Sequence, residues 1–521
     1  MAVAFSEGQT SATRCAVIIP QKSQSHLYAG AYNRSTDSYL KVYGIEMVYN
    51  AEGRSAAKTA KPVRRRGVSS FYNLTPFFLT DCNLMILVAR FRRSKTLLLA
   101  AISMFSLVAT SPADDWPQWR GPTRDGVWHE SGLVESLPAP QIPIKWKAAV
   151  GAGYSGPSIA KGRVYVTDRI TDPRQIERVH CFDEQTGKPL WSHQYDCQYS
   201  IGYPAGPRAS VAIDDGRAYA LGSMGNLHCL DAADGRVLWH HDLNSEYQIR
   251  MPIWGISASP LVDGDRVIVQ IGGSNGACLV AFDKVNGKEK WRALKDDSSY
   301  AAPLIVEQAG RRVLVCMTGN NIAGLNPETG ETLWLHPFPP TKMVIATATP
   351  VIDNNRLFVT SFYDGCMVLK LATDRLAVEQ VWKRNGRSER ETDGLQSIIS
   401  TPIIKGSYIY GVDSYGELRC LHADTGERIW ENLDATPKAR WSTIHMVRNG
   451  EQMWMFNERG ELLIGKLSPA GFEEISRSKL IEPTRDQLNQ RGGVCWAHPA
   501  YANKCVFARN DVELVCASLA K

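Results

Sequence analysis

Ten residues stand just before the points where a repeated strand pattern opens, and their types could build a binding site. They are Tyr154, Arg208, Trp254, Tyr300 and Gln396, followed by Arg440, Trp441, His445, Trp496 and His498. Aromatic faces with a few convergent polar groups suit a small molecule, a glycan or a peptide. Arg208 and Arg440 could grip a carboxylate or phosphate bidentately, or could pair with an acid of a neighbouring strand. Trp254, Trp441 and Trp496 could equally be packing aromatics. Several common catalytic signatures are missing: the chain has no His-Glu-x-x-His zinc motif, no His-Arg-Asp or Asp-Phe-Gly kinase motif and no Gly-x-x-x-x-Gly-Lys-Ser/Thr phosphate loop. No catalytic residue, metal ligand or cofactor-binding residue is expected. His240-His241 reads as an exposed loop pair, and Asp296, Asp297, Glu391 and Asp393 read as solvated loop acids.

Cysteine chemistry is also limited. Ten of the twelve Cys lie after residue 113, with no Cys-x-x-Cys and no adjacent pair. Cys181, Cys229, Cys420 and Cys516 occupy matching repeat positions, which suggests compact buried thiols rather than a disulfide framework. Cys505 and Cys516 fall on neighbouring strands and could face one another.

The elements that carry these residues come from one repeat. Asp or Asn, three residues, Gly, three residues and Trp recurs as Asp183…Gly187…Trp191, Asp231…Gly235…Trp239, Asp283…Gly287…Trp291 and Asn326…Gly330…Trp334. His422…Gly426…Trp430 is a further copy, and Trp382 ends a degenerate one with a longer turn, Ala372 to Val378. From Trp146 to Trp430 the Trp spacings are 45, 48, 52, 43, 48 and 48 residues. Each period holds four short alternating strands, with a tight turn whose Gly supplies the positive φ. Such periods describe propeller blades. Openers at Pro157, Arg208, Pro260, Pro303, Pro350, Pro402, Trp441 and Pro499 number eight, the seventh copy being the weakest. Trp146 ends a fourth strand lacking its first three, and the chain stops after three strands of the last copy. The two fragments complete one blade, so the fold expected is all-β: an eight-bladed β-propeller of four-stranded antiparallel blades, closed by pairing the N-terminal strand with the C-terminal blade.

Charge and hydropathy divide the 521 residues unevenly. Residues 1–84 carry +5 and residues 85–113 carry +4 out of a total of +6, leaving −3 on 114–521, so no nucleic-acid partner is expected. Arg92-Arg93-Ser94-Lys95 precedes the apolar run Thr96–Thr110, which ends at Ser111-Pro112-Ala113. That is the order of a signal peptide, and the run is short of the ~20 residues that a spanning helix needs. Residues 85–113 are read as the signal, with Met85 as the true start and 1–84 as a disordered leader or mis-assigned extension. Residues 114–141 should pack on the propeller of 142–521. The mature chain would be exported, periplasmic or extracellular, with no integral membrane segment, and a monomer.

The Gly-x-x-x-Trp repeats over 142–519 resemble those of pyrroloquinoline-quinone-type (PQQ-like) β-propellers. The opening Asp115-Trp116-Pro117-Gln118-Trp119-Arg120-Gly121-Pro122 is similar to the start of exported PQQ-like repeat proteins of planctomycete-type bacteria. The resemblance implies either a quinoprotein dehydrogenase, holding PQQ with calcium, or a non-catalytic binding or scaffold module. The adjacent cysteines of the dehydrogenases are absent here, and the blade spacing leaves no room for their insertions. Sequence therefore favours the binding module, with a protein, peptide, glycan or small anionic ligand as partner. The alternative is a PQQ- or metal-dependent oxidoreductase.

Overall fold

The computed structural model describes residues 114–484 and 492–521, together with the backbone of four short strands before residue 50. The signal-peptide reading falls outside the described residues. The four early strands form two antiparallel pairs, Arg14–Ala16 with Ala29–Ala31 and Tyr39–Val42 with Ile45–Val48.

From residue 144 onward the chain forms eight four-stranded antiparallel sheets. Seven are sequential, spanning 158–196, 212–242, 261–293, 304–337, 351–384, 403–432 and 444–479. They are numbered here as blades 1 to 7. The eighth joins Ala500–Ala502, Cys505–Arg509 and Glu513–Ser518 to the N-terminal strand Ile144–Ala149. Its register runs from Glu513 opposite Ala149 to Ala517 opposite Ile144, with Cys516 facing Trp146. The ring therefore closes by the expected pairing, and neither terminal fragment keeps an unpaired inner edge. First strands of neighbouring blades approach one another around the axis. Among the described residues the only helix is Leu243–Tyr247.

Turn chemistry shapes each blade. The residue four before the turn Gly accepts backbone N–H bonds: Asp183 from Thr186, Asp231 from Ala233, Asp283 from Val285 and Asn286, and Asn326 from Glu328, at 2.9–3.1 Å. His422 does the same with Nδ1, accepting from Asp424 at 3.3 Å. The glycines that follow have φ of +68° to +76°, a region costly for any residue with a Cβ.

Those glycines also seat the tryptophans. A Cβ on Gly187, Gly235, Gly287, Gly330 or Gly426 would lie 2.5–2.8 Å from the indole of the preceding blade. The same indoles donate across the joint: Trp146 to the Glu184 carbonyl at 2.8 Å, Trp191 to Ala232 at 3.1 Å, Trp239 to Lys284 at 3.3 Å, Trp291 to Pro327 at 3.2 Å and Trp382 to Ala423 at 2.7 Å; Trp430, which has no glycine seat, donates to Ser468 at 2.9 Å. Trp334 meets the degenerate turn, which has no such glycine. Its N–H goes instead to Gln308 Oε1 at 2.9 Å, and Gln308 Nε2 donates to the Ala377 carbonyl at 2.7 Å. Opposite each indole sits a compact residue, including Cys181, Cys229 and Cys420, at a register shift repeated in every such sheet. All ten described cysteines, Cys505 and Cys516 among them, are buried free thiols.

The segment 114–141 crosses several blades. Trp116 bridges to Ile159, Pro117 accepts from Ile213, Trp128 N donates to Arg448, and Val134 N donates to Leu519. Trp116 and Trp128 are each 1% exposed, packed with Trp454 and Tyr501. Arg124 is buried and donates to the carbonyls of Pro260 (2.8 Å) and Ser259 (3.2 Å), and burial lowers its pKa to about 9.

Two sequence readings change. His240 and His241 lie within the strand Val237–Asp242, not in a loop: His241 pairs with Glu246 and stacks on Phe282, while His240 stacks on His228. Asp296 is half-buried and binds its neighbours, accepting from Asn320 Nδ2 at 2.6 Å and Asn321 Nδ2 at 2.8 Å. Glu391 and Asp393 are exposed, as expected.

Gly162 offers an internal control for the indole seat, because its φ is +75° yet a Cβ there would meet nothing within 4 Å. Gly162→Ala should cost about 1 kcal/mol from the left-handed backbone alone. Gly235→Ala adds a collision with Trp191 and should cost about 3 kcal/mol. Urea unfolding of the two variants measures the difference.

Candidate functional site

The connections from the outer strand of one blade to the inner strand of the next converge on the axis, where they enclose a cavity of about 150 Å³. Tyr154, Arg208, Trp254, Tyr300, Trp441, His445, Trp496 and His498 line it. Gln396 and Arg440 do not. Gln396 is 2% exposed and points its Nε2 at the Phe362 carbonyl, because its backbone is held by Asp413 behind the cavity wall. Arg440 turns outward into a bidentate pair with Glu389, 3.0 Å for each bond, and its guanidinium covers the Trp441 ring at 4.7 Å. It braces the wall from outside, the ion-pair alternative that the sequence left open.

The walls are aromatic and mutually supporting. Trp254 lies 5.6 Å from Trp441 and 5.2 Å from Tyr300, between ring centroids. Tyr203 stands edge-on to Trp254, Trp441 and Trp496 at 5.7–6.0 Å. Tyr203 and Trp441 both hold positive φ, +51° and +64°, which bulky residues adopt only when their surroundings impose it. For Trp441 the imposing contact is its N–H bond to the Ser414 carbonyl at 2.8 Å. Gly255, at φ +71°, lets the chain turn after Trp254 so that the ring enters the mouth; a Cβ there would strike Ile201 and the Ser223 carbonyl.

Arg208 is the one charged side chain in this lining. Its Nη1 donates to the Gly206 carbonyl (2.6 Å) and Ser223 Oγ (3.1 Å); Nη2 donates to the carbonyls of Gly202 (2.9 Å) and Tyr203 (2.7 Å). Three of the four Nη hydrogens are thus spent on holding the 202–206 loop and the fourth on Ser223, and no fork remains for a bidentate ligand. Burial lowers its pKa, against the raising influence of the surrounding tyrosines and Glu177. Glu177, fully buried, accepts from Tyr195, Tyr199 and the Ser223 N–H, which places a countercharge one residue behind the arginine.

The histidines are not cations here. His498 accepts at Nε2 from Ser210 Oγ (2.7 Å) and donates from Nδ1 to the Pro499 carbonyl (3.1 Å); His445 donates to the Trp496 carbonyl at 3.0 Å. Burial pushes their pKa values down to about 3 and about 4. Both are neutral at pH 7.

Several lining residues escaped sequence reading. Ser259, Ala302 and Thr349 are the small residues of the opener pairs Ser259-Pro260, Ala302-Pro303 and Thr349-Pro350, so a periodic signal for them existed. Tyr203 had none, since it lies in a connecting loop. Trp119, from the N-terminal segment, lines this cavity and a smaller one below it, and its Nε1 donates to Thr349 Oγ1 at 2.8 Å. Its ring meets His498 edge-to-face at 4.5 Å.

PQQ with calcium, the pair implied by the alternative reading, can be tested against these groups. A tricarboxylate needs several cations, and calcium needs six or more oxygen ligands. The lining supplies one tied guanidinium and no carboxylate, and among the described residues no three His, Cys, Asp or Glu side chains converge as a metal site. The residues present do not fit that pair.

Neutral buried histidines make stability pH-dependent. Their folded pKa values lie below the ordinary 6.5, so their contribution is complete above pH 6.5 and is lost as pH falls toward 4 and 3. Between pH 6.5 and 5 each should cost about 2 kcal/mol. Urea midpoints of the protein and of His445→Gln/His498→Gln check this; the double variant should show the shallower pH slope.

Comparison with known proteins adds relatives to this geometry. The family model described as outer membrane protein assembly factor BamB matches residues 175–432. BamB of Shewanella oneidensis is 23% identical over 343 residues, covering 64% of this chain and 70% of its own. Among solved structures, quinohemoprotein alcohol dehydrogenase from Comamonas testosteroni matches with a TM-score of 0.55 at 14% identity, over 77% of this chain and 80% of that one. A europium-containing methanol dehydrogenase matches with a TM-score of 0.55 at 12% identity, over 77% and 90%. The last two are likenesses of fold. Its repeat, its closed eight-bladed ring and a family match running from within blade 1 to the end of blade 6 make the chain a PQQ-like β-propeller repeat protein in pattern and fold.

Proposed function

We propose that this chain is an exported, monomeric binding or scaffold module whose working surface is the aromatic mouth of the propeller axis. The observation that carries the proposal is the cavity itself: seven aromatic side chains, Trp119, Tyr154, Tyr203, Trp254, Tyr300, Trp441 and Trp496, converge there with one guanidinium and no carboxylate. Concave, mostly apolar sites with a few placed polar groups are what ligands select. The likeness to a protein named as an outer membrane assembly factor, 23% identical over 343 residues, supports a propeller used for docking a protein or ligand rather than for turnover. Export accords with the apolar run before Asp114 and with the finding that no helix among the described residues is long and apolar enough to cross a membrane.

The dehydrogenase alternative rests on likeness of fold, and the cavity residues do not suit its cofactor pair. Calorimetry against a panel of acids, sugars and peptides should find saturable binding, weakened at least tenfold by Trp254→Ala. Protein incubated with PQQ and calcium should reduce no dye in the presence of alcohols or sugars; turnover there would defeat the binding reading. The N-terminal sequence of the protein recovered from outside the inner membrane should begin near Asp114, and retention of residues 85–113 would remove the signal peptide.

A further inference from the structure

We infer that Glu130 is the receptor for a free amino terminus at Asp114. Hydrolysis of the peptide bond between Ala113 and Asp114 then turns a backbone hydrogen bond into a buried ion pair and tightens the N-terminal segment onto the eighth blade. This rests on the export proposed above and gives the cleavage a structural consequence. Glu130 is 4% exposed, and its Oε1 accepts from the Asp114 N–H at 2.9 Å. Its other bonds run to one turn of the eighth blade: the Asn503 N–H donates to Oε1 at 2.7 Å and the Lys504 N–H to Oε2. Asn503 and Lys504, both at φ +53°, link Ala500–Ala502 to Cys505–Arg509. One carboxylate therefore joins residue 114 to the hairpin that receives the N-terminal strand.

That carboxylate lacks a cation. Among the described residues no Lys, Arg or His forms an ion pair with Glu130; three neutral N–H groups are its partners. A buried charge held only by neutral donors is costly unless a counter-ion joins it. The surroundings sharpen the demand. Asn503 also donates from Nδ2 to Glu184 Oε1 at 2.6 Å, so it bridges Glu130 to a second carboxylate that is 3% exposed. Burial, with Asp115 and Glu130 adding to it, raises the Glu184 pKa against the pull of Asn503 and Lys145. As an amide, the Asp114 nitrogen brings these acids no charge. Cleavage supplies it. Ser111-Pro112-Ala113 is the small-residue end of the apolar run that a signal peptidase would cut. Hydrolysis adds one water across the bond, leaving a carboxylate on Ala113 and an amine on Asp114 that takes a proton at neutral pH. The nitrogen already stands at hydrogen-bond distance from Oε1, so the pair forms with little further ordering of side chains.

A full-length chain carrying a factor Xa recognition sequence in place of residues 110–113 tests this, because cutting it frees the Asp114 amine and alters no described residue. Urea unfolding at pH 7 should show the unfolding equilibrium constant falling about tenfold on cutting. Glu130→Gln keeps an acceptor oxygen and loses the charge, so there the same cut should change the constant by less than about twofold. Should that variant not fold, a Gly-Ser pair inserted before Asp114 displaces the ammonium with Glu130 intact, and the gain should vanish. No gain on cutting, an equal gain in Glu130→Gln, or a gain kept behind Gly-Ser would each overturn the proposal. The introduced site makes these results independent of export. The N-terminal sequence of the recovered protein then separates the two readings: a start at Asp114 without the coupling leaves export standing and removes the ion pair, whereas retention of residues 85–113 removes both.

Discussion

One contact recurs at five of the eight joints of the ring: an indole laid on a glycine of the next blade, with its N–H given to a carbonyl of the same turn. The contact asks two things of one residue. The turn needs a left-handed backbone, and the ring needs the space of a missing side chain; Gly187, Gly235, Gly287, Gly330 and Gly426 satisfy both. Closure reuses the device, because Trp146 on the N-terminal strand sits on Gly187 of blade 1 as Trp191, Trp239, Trp291 and Trp382 sit on the blades that follow them. The seam between the chain ends is therefore built like the other joints. Behind it, Arg509 is fully buried and donates to the carbonyls of Thr167, Gly151 and Asn510. Beside it lies Asp168: burial alone would raise its pKa, but bonds from His180 and Arg178 hold it well below the carboxylate range.

A ring made rigid in this way lets its loops hold conformations that a free chain would avoid. Tyr203 and Trp441 sit at positive φ in the cavity wall, and the cost of that backbone is borne by the blades on either side. Polar groups are handled with equal economy. The charge of Arg208 is tied to carbonyls and faced by Glu177 through Ser223, and the two histidines are kept neutral by burial. The propeller fold is shared with enzymes that carry a quinone, yet function resides in the site rather than in the sheets around it.

Much of the architecture was legible because it is periodic. Asp183, Gly187 and Trp191 recur with their successors at nearly constant spacing, since every blade solves the same packing problem with the same turn. The expected closure followed from arithmetic on strands: one left over at Trp146, three at the end. The ten candidate residues were found by the same periodicity, as positions preceding each opener, and for most this was enough to bring them to the axis. Gln396 failed because the connection 385–402 carries its own turn, pairing Gly386 with Thr392, and so shifts which side chains face inward; Arg440 failed because that connection brings Glu389 to its guanidinium. Tyr203 and Trp119 gave no repeat signal, one being in a loop and the other in the segment before the ring.

Sequence alone determined the antiparallel sheets, the closing strand and the capped turns and favoured eight blades over seven, because these depend on local geometry repeated many times over. Tertiary structure decided which aromatics meet, that Arg208 spends its fork on backbone, that His445 and His498 carry no charge, and that Trp119 reaches the axis from outside the repeat. Those outcomes depend on burial and on partners far apart in the chain, such as Trp119 with Thr349 or Ser210 with His498, and no spacing along the sequence encodes them.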